Sequence, residues 1–203
     1  MRIVACIQCR YNSSRLPGKA LMQINGKPML QIIYDEAKKS LVSQVVVGTT
    51  SNSAPIVQYA LENGMPLLVY GDGEDNVLGR ITACAEAYNA DYVVRIWGDC
   101  PMIEHEHIDY CIGNCFKGDY DYFFDYYEKG KGVAVISWDL LARLSRELQD
   151  DWSKENFHTV IINNPDEYNA KVIGTPYNDS SINYSVDTIE DLKRVEECMK
   201  SGN

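Results

Sequence analysis

The sequence predicts an α/β fold: a mostly parallel sheet in three layers, with helices on both faces of the sheet. Three observations lead there. Short apolar runs alternate with helix-spaced apolar patterns almost from end to end. No internal repeat, low-complexity segment or linker interrupts that alternation, and 203 residues suit one domain, 1–203. The composition, 45% hydrophobic and 24% charged, is that of an ordinary globular chain able to bury a substantial core.

Taken in order, residues 3–8 read as a buried strand, and 44–50, 66–69 and 92–96 read the same way. Between them, Met29, Leu30, Ile32, Ile33 and Ala37 lie at helix spacing, as do Ile56, Val57, Tyr59 and Ala60. Val77, Leu78, Ile81, Ala85 and Tyr88 form a third such set. Further on, 120–124 and 133–137 are predicted strands separated by a polar, glycine-bearing turn at 128–132. Helices are expected at 138–148, 155–163 and 189–199, and short strands at 171–173 and 183–186 complete the sheet.

Charge is distributed unevenly. The formal net charge is −10, yet residues 1–34 carry Arg2, Arg10, Arg15, Lys19 and Lys27 and no acid, so the remaining 169 residues stand at −15. A purely basic loop kept after the first strand of an acidic protein points to a bound anion, and a phosphate chain suits that place best. An acidic chain of pI about 4.7 is a poor partner for bulk nucleic acid. No apolar run approaches the ~20 residues that span a bilayer, and 3–7 are too few for a signal peptide, so a cytoplasmic protein is expected. Seven cysteines without scaffold spacing fit a reducing compartment. Cys6 and Cys9, three apart on a strand, point to opposite faces and make a poor metal pair.

Four segments are able to carry chemistry. In Cys9–Lys19, Gly18 lets the backbone approach a ligand, Pro17 fixes the turn, and Arg15 and Lys19 offer a planar fork and a point charge to phosphate oxygens. Neither a Walker A loop nor a dinucleotide fingerprint is present here, and a solvated basic loop is an equal reading of composition alone. In the 95–103 segment, Asp99 sits just past the end of a buried strand, although a lone Asp there also suits a turn or helix cap. In the 184–191 segment, Asp187 or Thr188 is placed to cap the following helix. The functional alternative is that Asp99 and Asp187 meet at the sheet edge and share a magnesium ion, which takes one or two carboxylates plus phosphates. The fourth segment, 70–80, is a glycine-rich polar turn feeding a helix. His105 and His107 read as surface residues near a helix start and not as ligands.

In this order and spacing the four segments resemble the cytidylyltransferase family that makes CMP-activated acidic sugars, its spore coat polysaccharide branch in particular. The family's A-R-x-x-S-x-R-L-P-G-K stands as residues 9–19, its E-D-x-V-L-x-R as 74–80, its G-D-C-P-x-I as 98–103 and its V-D-T-x-E-D-L as 186–192. The resemblance implies a glycosyltransferase-A-like nucleotidyltransferase fold and Mg²⁺-dependent transfer of CMP from CTP to a small acidic acceptor. Pyrophosphate would leave, and the product would serve cell-surface polysaccharide synthesis. It implies Arg10, Ser13, Arg15, Gly18, Lys19, Asp75 and Arg80 around the nucleotide, Lys19, Arg15 and Asp99 in catalysis, and Asp99 and Asp187 on the metal. A homodimer is a further expectation, with an acceptor or dimer subregion around 119–137.

The chain departs from the family in the middle. Where relatives carry G-x-D-x-E-V, residues 130–135 read Gly-Lys-Gly-Val-Ala-Val, so Gly132 and Ala134 replace two carboxylates. A histidine expected near Asn156 is absent, with His158 close by. Two alternatives follow: a non-catalytic nucleotide-binding relative, and a sugar transferase of the same fold using Asp119-Tyr-Asp121 as an Asp-x-Asp metal motif.

Overall fold

The chain opens with β1 (Ile3–Gln8), whose first five residues are all buried, and this strand sits in the middle of the main sheet. The computed structural model describes residues 1–71, 73–174 and 183–201. A two-residue hairpin, β2 (Gln23–Ile24) and β3 (Lys27–Pro28), leads into α1 (Met29–Ala37). Then come β4 (Gln44–Thr50), α2 (Ala54–Glu62), β5 (Leu67–Tyr70), α3 (Val77–Ala87) and β6 (Tyr92–Trp97). The second half holds α4 (His105–Lys117), β7 (Tyr122–Asp125), β8 (Val133–Ser137), α5 (Trp138–Glu147), α6 (Asp151–Glu155), α7 (Phe157–Asn163), β9 (Ala170–Ile173) and α8 (Ile189–Ser201).

Seven strands form one sheet in the order β5-β4-β1-β6-β8-β7-β9. The β5-β4-β1-β6 block and the β7-β9 pair are parallel, while β8 runs antiparallel to both neighbours. The sheet is therefore mostly parallel, as predicted. Alternation of side chains divides β1 between two cores: Ile3, Ala5 and Ile7 join α1, α2, α4 and α8 on one face. Val4 and Cys6 join α3, α5 and α7 on the other. Cys6 and Cys9 accordingly fall in different cores, and six of the seven cysteines are buried thiols. No helix among the described residues is long and apolar enough to cross a membrane.

Several boundaries differ from the expectations, each for a local reason. Residues 183–186 form no strand, because the Tyr184 and Val186 N–H groups donate to the Lys129 and Asp99 carbonyls, which belong to loops. The helix expected over 155–163 is two helices, since Asn156 (φ −106°, ψ 27°) ends α6 and begins α7. Asp150, upstream, caps α6 by accepting from the Ser153 N–H at 2.9 Å. Strand β7 begins at Tyr122 and not at 120, because Asp119 turns with φ 51° and the Tyr120 N–H still bonds to the Cys115 carbonyl of α4. Helix α4 starts at His105, as the helix start near the two histidines predicts, and Ile108, Cys111, Ile112 and Cys115 give it a core face at helical spacing. Its His107 is buried, not a surface residue: the ring stacks on Tyr127 at 4.4 Å, and burial pulls its pKa down. His105 is half-buried against the Glu36 carboxylate at 2.7 Å.

Candidate active site

The loops that follow β1, β5 and β6 leave the C-terminal end of the parallel strands and build a cleft. Gly98 explains how closely: a Cβ there would stand 2.6 Å from Cys9 Cβ and 2.7 Å from the Gln8 carbonyl oxygen. The missing side chain lets the loops after β1 and β6 lie against each other, with the Gly98 N–H on the Gln8 carbonyl at 2.9 Å. Asp99 thereby comes beside the basic loop. Gly130, at φ 87°, plays the same part for the segment before α8: a Cβ there would collide with the Ser185 backbone nitrogen. That contact, with the Lys129 and Asp99 carbonyl bonds, brings 184–187 across to the cleft.

Lys19 is the centre of the arrangement. Its Nζ donates to Asp99 Oδ2 at 2.8 Å, to the Val186 carbonyl at 2.8 Å and to Asp187 Oδ1 at 2.9 Å. Arg15 Nη2 reaches the same Asp187 oxygen at 2.9 Å. Burial by itself would lower the Lys19 pKa, but the Asp99 and Asp187 carboxylates outweigh it and hold the ammonium above its ordinary value. The helix-cap alternative for Asp187 is removed by its neighbours. Thr188 Oγ1 accepts from the Asp191 N–H at 3.2 Å, and Asp191 Oδ2 accepts from the Thr188 N–H at 2.9 Å, so these two close α8. Asp187 is left free to face Lys19. Asp99 is no cap either, because α4 starts six residues later, at His105.

The other residues singled out from the sequence fall in two groups. Arg10, Ser13, Arg15, Lys19, Arg80, Asp99 and Asp187 all border one cleft of about 290 Å³. Gly18 and Asp75 do not line it. Gly18 (φ 74°) shapes the turn, its N–H committed to the Tyr11 carbonyl at 2.7 Å. Asp75 holds Arg10 at 2.5 Å and borders a separate hollow with Glu74, Asp151 and Lys154. In the 70–80 turn, Asp72 lies outside the described residues. Asp119 and Asp121 are at the opposite end of the sheet, where β7 begins, and Asp121 is occupied by Ser137 Oγ (2.8 Å) and Asn169 Nδ2 (3.1 Å). The Asp-x-Asp pair therefore lies away from the cleft that holds Lys19 and Asp99.

A second cavity of about 380 Å³ adjoins the first and shares Arg15, Trp97, Asp99 and Asp187 with it. Phe124, Tyr126, Lys129, Gly130 and Gly132 form its other wall. The 119–137 stretch is not set apart from the fold: β7 and β8 are strands of the main sheet, and the turn between them borders this cavity. Ala134 lies fully buried in β8, beside Arg95 of β6. His158 packs under the site against Trp97 and Phe124 and shares a hydrogen bond with Tyr122 Oη. Burial, with Arg95 nearby, pulls its pKa down to about 3, so its ring is neutral. Gln8, Glu74, Arg95 and Asn156 also line the first cleft and were not singled out from the sequence. For Arg95 a signal existed, a guanidinium interrupting an otherwise apolar strand.

The donors at Lys19 suit a hard cation. Two carboxylates and a backbone carbonyl converge on one ammonium, and oxygen donors of this kind are what Mg²⁺ accepts.

Comparison with known proteins agrees with this geometry. A family model described as cytidylyltransferase matches residues 4–197. A 3-deoxy-manno-octulosonate cytidylyltransferase of Geotalea uraniireducens is 39% identical over 115 residues, which is 55% of this chain and 44% of that one. The chain thus matches less than half the length of that relative. Among solved structures, a cytidylyltransferase from Leptospira borgpetersenii superposes with TM-score 0.88 at 24% identity, covering 99% of this chain and 87% of the other. CMP:2-keto-3-deoxy-manno-octonic acid synthetase complexed with CTP superposes with TM-score 0.81 at 19% identity, covering 100% of both. At those identities the superpositions speak for the fold alone. With the family match running over nearly the whole chain, and over the loops that carry Lys19, Asp99 and Asp187, this protein belongs to the cytidylyltransferase family of nucleotidyltransferases.

Proposed function

We propose that the chain transfers CMP from CTP to an acidic sugar or related small acceptor and releases pyrophosphate. The observation that carries this reading is the meeting of Lys19, Arg15, Asp99 and Asp187 at the junction of two cavities, cations for phosphate and carboxylates for metal. The cleft bordered by Arg10, Ser13 and Arg80 takes the nucleotide, and the cavity bordered by Phe124, Tyr126 and Lys129 takes the acceptor.

In the proposed reaction an acceptor oxygen forms a bond to the α-phosphorus while the bond from that phosphorus to the bridging oxygen breaks. The hydroxyl proton passes to solvent, and pyrophosphate leaves with the bonding pair. Arg10 and Arg15 hold the phosphate chain by charge and hydrogen bonds, and Lys19 fixes Asp99 and Asp187 relative to that chain. Asp99 and Asp187 would hold Mg²⁺, which neutralises phosphate charge when bound. Positioning and charge compensation supply most of the rate, as is usual for transfer to phosphorus. The role in cell-surface polysaccharide synthesis follows the family resemblance.

Calorimetry against CTP, UTP, ATP and GTP, with and without Mg²⁺, tests the nucleotide half. Magnesium-dependent binding selective for CTP and weakened by Asp99→Ala is expected, and no binding to any nucleotide refutes the reading. Pyrophosphate release with a panel of sugar acids tests the transfer, and CTP binding without turnover on any of them would favour the non-catalytic relative.

A further inference from the structure

Lys131 is a cation buried behind the second cavity. It stands in the turn between β7 and β8, its side chain is 8% exposed, and it lines neither of the two cavities. Its Nζ reaches Glu104 Oε1 at 3.0 Å and Glu128 Oε2 at 2.7 Å, and it lies 4.7 Å from the Tyr184 ring centroid. Burial by itself would lower its pKa, but the two carboxylates outweigh that and hold the ammonium above its ordinary value. Each partner belongs to a different part of the site. Glu104 ends the loop that leaves β6 through Asp99, and α4 starts at the next residue. Glu128 is in the turn and borders the second cavity. Tyr184 stands in the segment that leads to Asp187.

The same turn carries the wall that faces this cavity. Lys129, Gly130 and Gly132 line it, and so does Ser185, whose backbone nitrogen is the atom a Cβ on Gly130 would strike. The Lys129 carbonyl accepts the Tyr184 N–H at 2.8 Å, so turn and segment are joined through their backbones. The Lys131 ammonium ties this pair to the loop after β6, and it also compensates Glu128, a carboxylate at the cavity. The nucleotide half has anchors of its own. Asp187 is held by Lys19 and Arg15, and the Val186 N–H by the Asp99 carbonyl. We propose that Lys131 is a positioning residue for the acceptor cavity: it fixes the 128–130 wall and Ser185, and it compensates the Glu128 charge beside an anionic acceptor. This rests on the proposed transfer reaction for what the second cavity binds. Lys131 touches no reacting atom and acts through Glu104, Glu128 and the Tyr184 segment.

The test uses the whole chain and the variants Lys131→Met, Lys131→Arg and Glu104→Gln, each saturated with CTP and Mg²⁺. Amide hydrogen exchange, read by NMR, reports on the wall whatever the acceptor is. The N–H groups of residue 131 and Tyr184 bond to the Glu128 and Lys129 carbonyls. In Lys131→Met both should exchange at least about tenfold faster, while the amides of β1 stay within about twofold. Pyrophosphate release is then followed with the sugar acid of the panel on which wild type turns over fastest. Lys131→Met should raise the KM of that acceptor at least about tenfold, with CTP affinity by calorimetry kept within about twofold. Lys131→Arg keeps the charge and should recover most of the loss. Glu104→Gln cuts the tie to the loop after β6 but leaves Glu128 paired, so a smaller loss is expected, and it carries the comparison if Lys131→Met does not fold. Unchanged exchange at the two N–H groups overturns the proposal. So does an acceptor KM that stays put, one that rises together with the CTP Kd as general loosening would give, or a Lys131→Arg no better than Lys131→Met. If wild type binds no CTP or turns over no sugar acid, the transfer reading fails instead. Exchange in wild type and Lys131→Met, without nucleotide where none binds, then still decides whether Lys131 holds the wall.

Discussion

Replacing Lys19 by Met keeps most of the aliphatic stem and removes the ammonium that joins three parts of the chain. The ammonium makes three hydrogen bonds of 2.8–2.9 Å, two of them to carboxylates, and its side chain is 11% exposed. Removing one partner of a fully buried pair costs about 3–5 kcal/mol. Here Asp99 and Asp187 keep 28% and 22% of their side-chain surface in water, which screens the two charges left facing each other. About 2–3 kcal/mol is therefore expected, and for a chain of this size that lowers Tm by roughly 5–10 °C. The same deletion opens the oxygen donors to a divalent cation. If Mg²⁺ then binds with a Kd near 1 mM, 10 mM of it returns about 1.4 kcal/mol, or roughly 3–5 °C. In wild type the cation competes with the resident ammonium, and a shift below about 1 °C is expected. Thermal melts of both proteins with and without MgCl₂, without nucleotide, measure this directly. Equal shifts in the two proteins would show that Asp99 and Asp187 do not form one cation site. A destabilisation under about 0.5 kcal/mol would show that Lys19 does not tie these loops together.

Three further outcomes are expected. Asp99→Ala should lower turnover by roughly 10²- to 10³-fold, read as pyrophosphate release, because it removes a carboxylate that would hold the charge-compensating Mg²⁺; near-normal turnover would place the chemistry elsewhere. Gly98→Ala should push apart the loops after β1 and β6, since its Cβ meets the Gln8 carbonyl at 2.7 Å, and so displace Asp99. A shift near 1 Å costs about 10²-fold in rate, and an active Gly98→Ala would contradict the close approach. The third concerns pH: His158 has a folded pKa of about 3 against an ordinary 6.5, so its contribution is complete above pH 6.5 and declines as pH falls toward 3. Urea unfolding should show roughly 2 kcal/mol lost between pH 7 and pH 5 from this residue, absent in His158→Gln. An identical pH dependence in the variant would place the loss on other groups.

The layered α/β plan is legible in the residues alone, because a buried strand and an amphipathic helix each need only their own residues to declare their period. The sequence also marked Lys19 and Asp99, since cations and acids in loops past strand ends stand where sheets of this class hold ligands, and it marked Asp187 through a strand that the structure does not have. It fell short where one segment's structure depends on another. The 183–186 stretch looks like a strand in isolation, and only its bonds to the Lys129 and Asp99 carbonyls show why it is not one. Whether Asp187 caps a helix or faces the cleft was open until Thr188 and Asp191 were seen to close α8 themselves. That Lys19 bridges two acids 80 and 168 residues away is likewise decided by tertiary packing. Arg95 is the clearest case. An arginine within an apolar strand is visible in the sequence, but that no carboxylate among the described residues pairs with it belongs to the fold, because charge compensation is a property of what lies nearby in space and not along the chain.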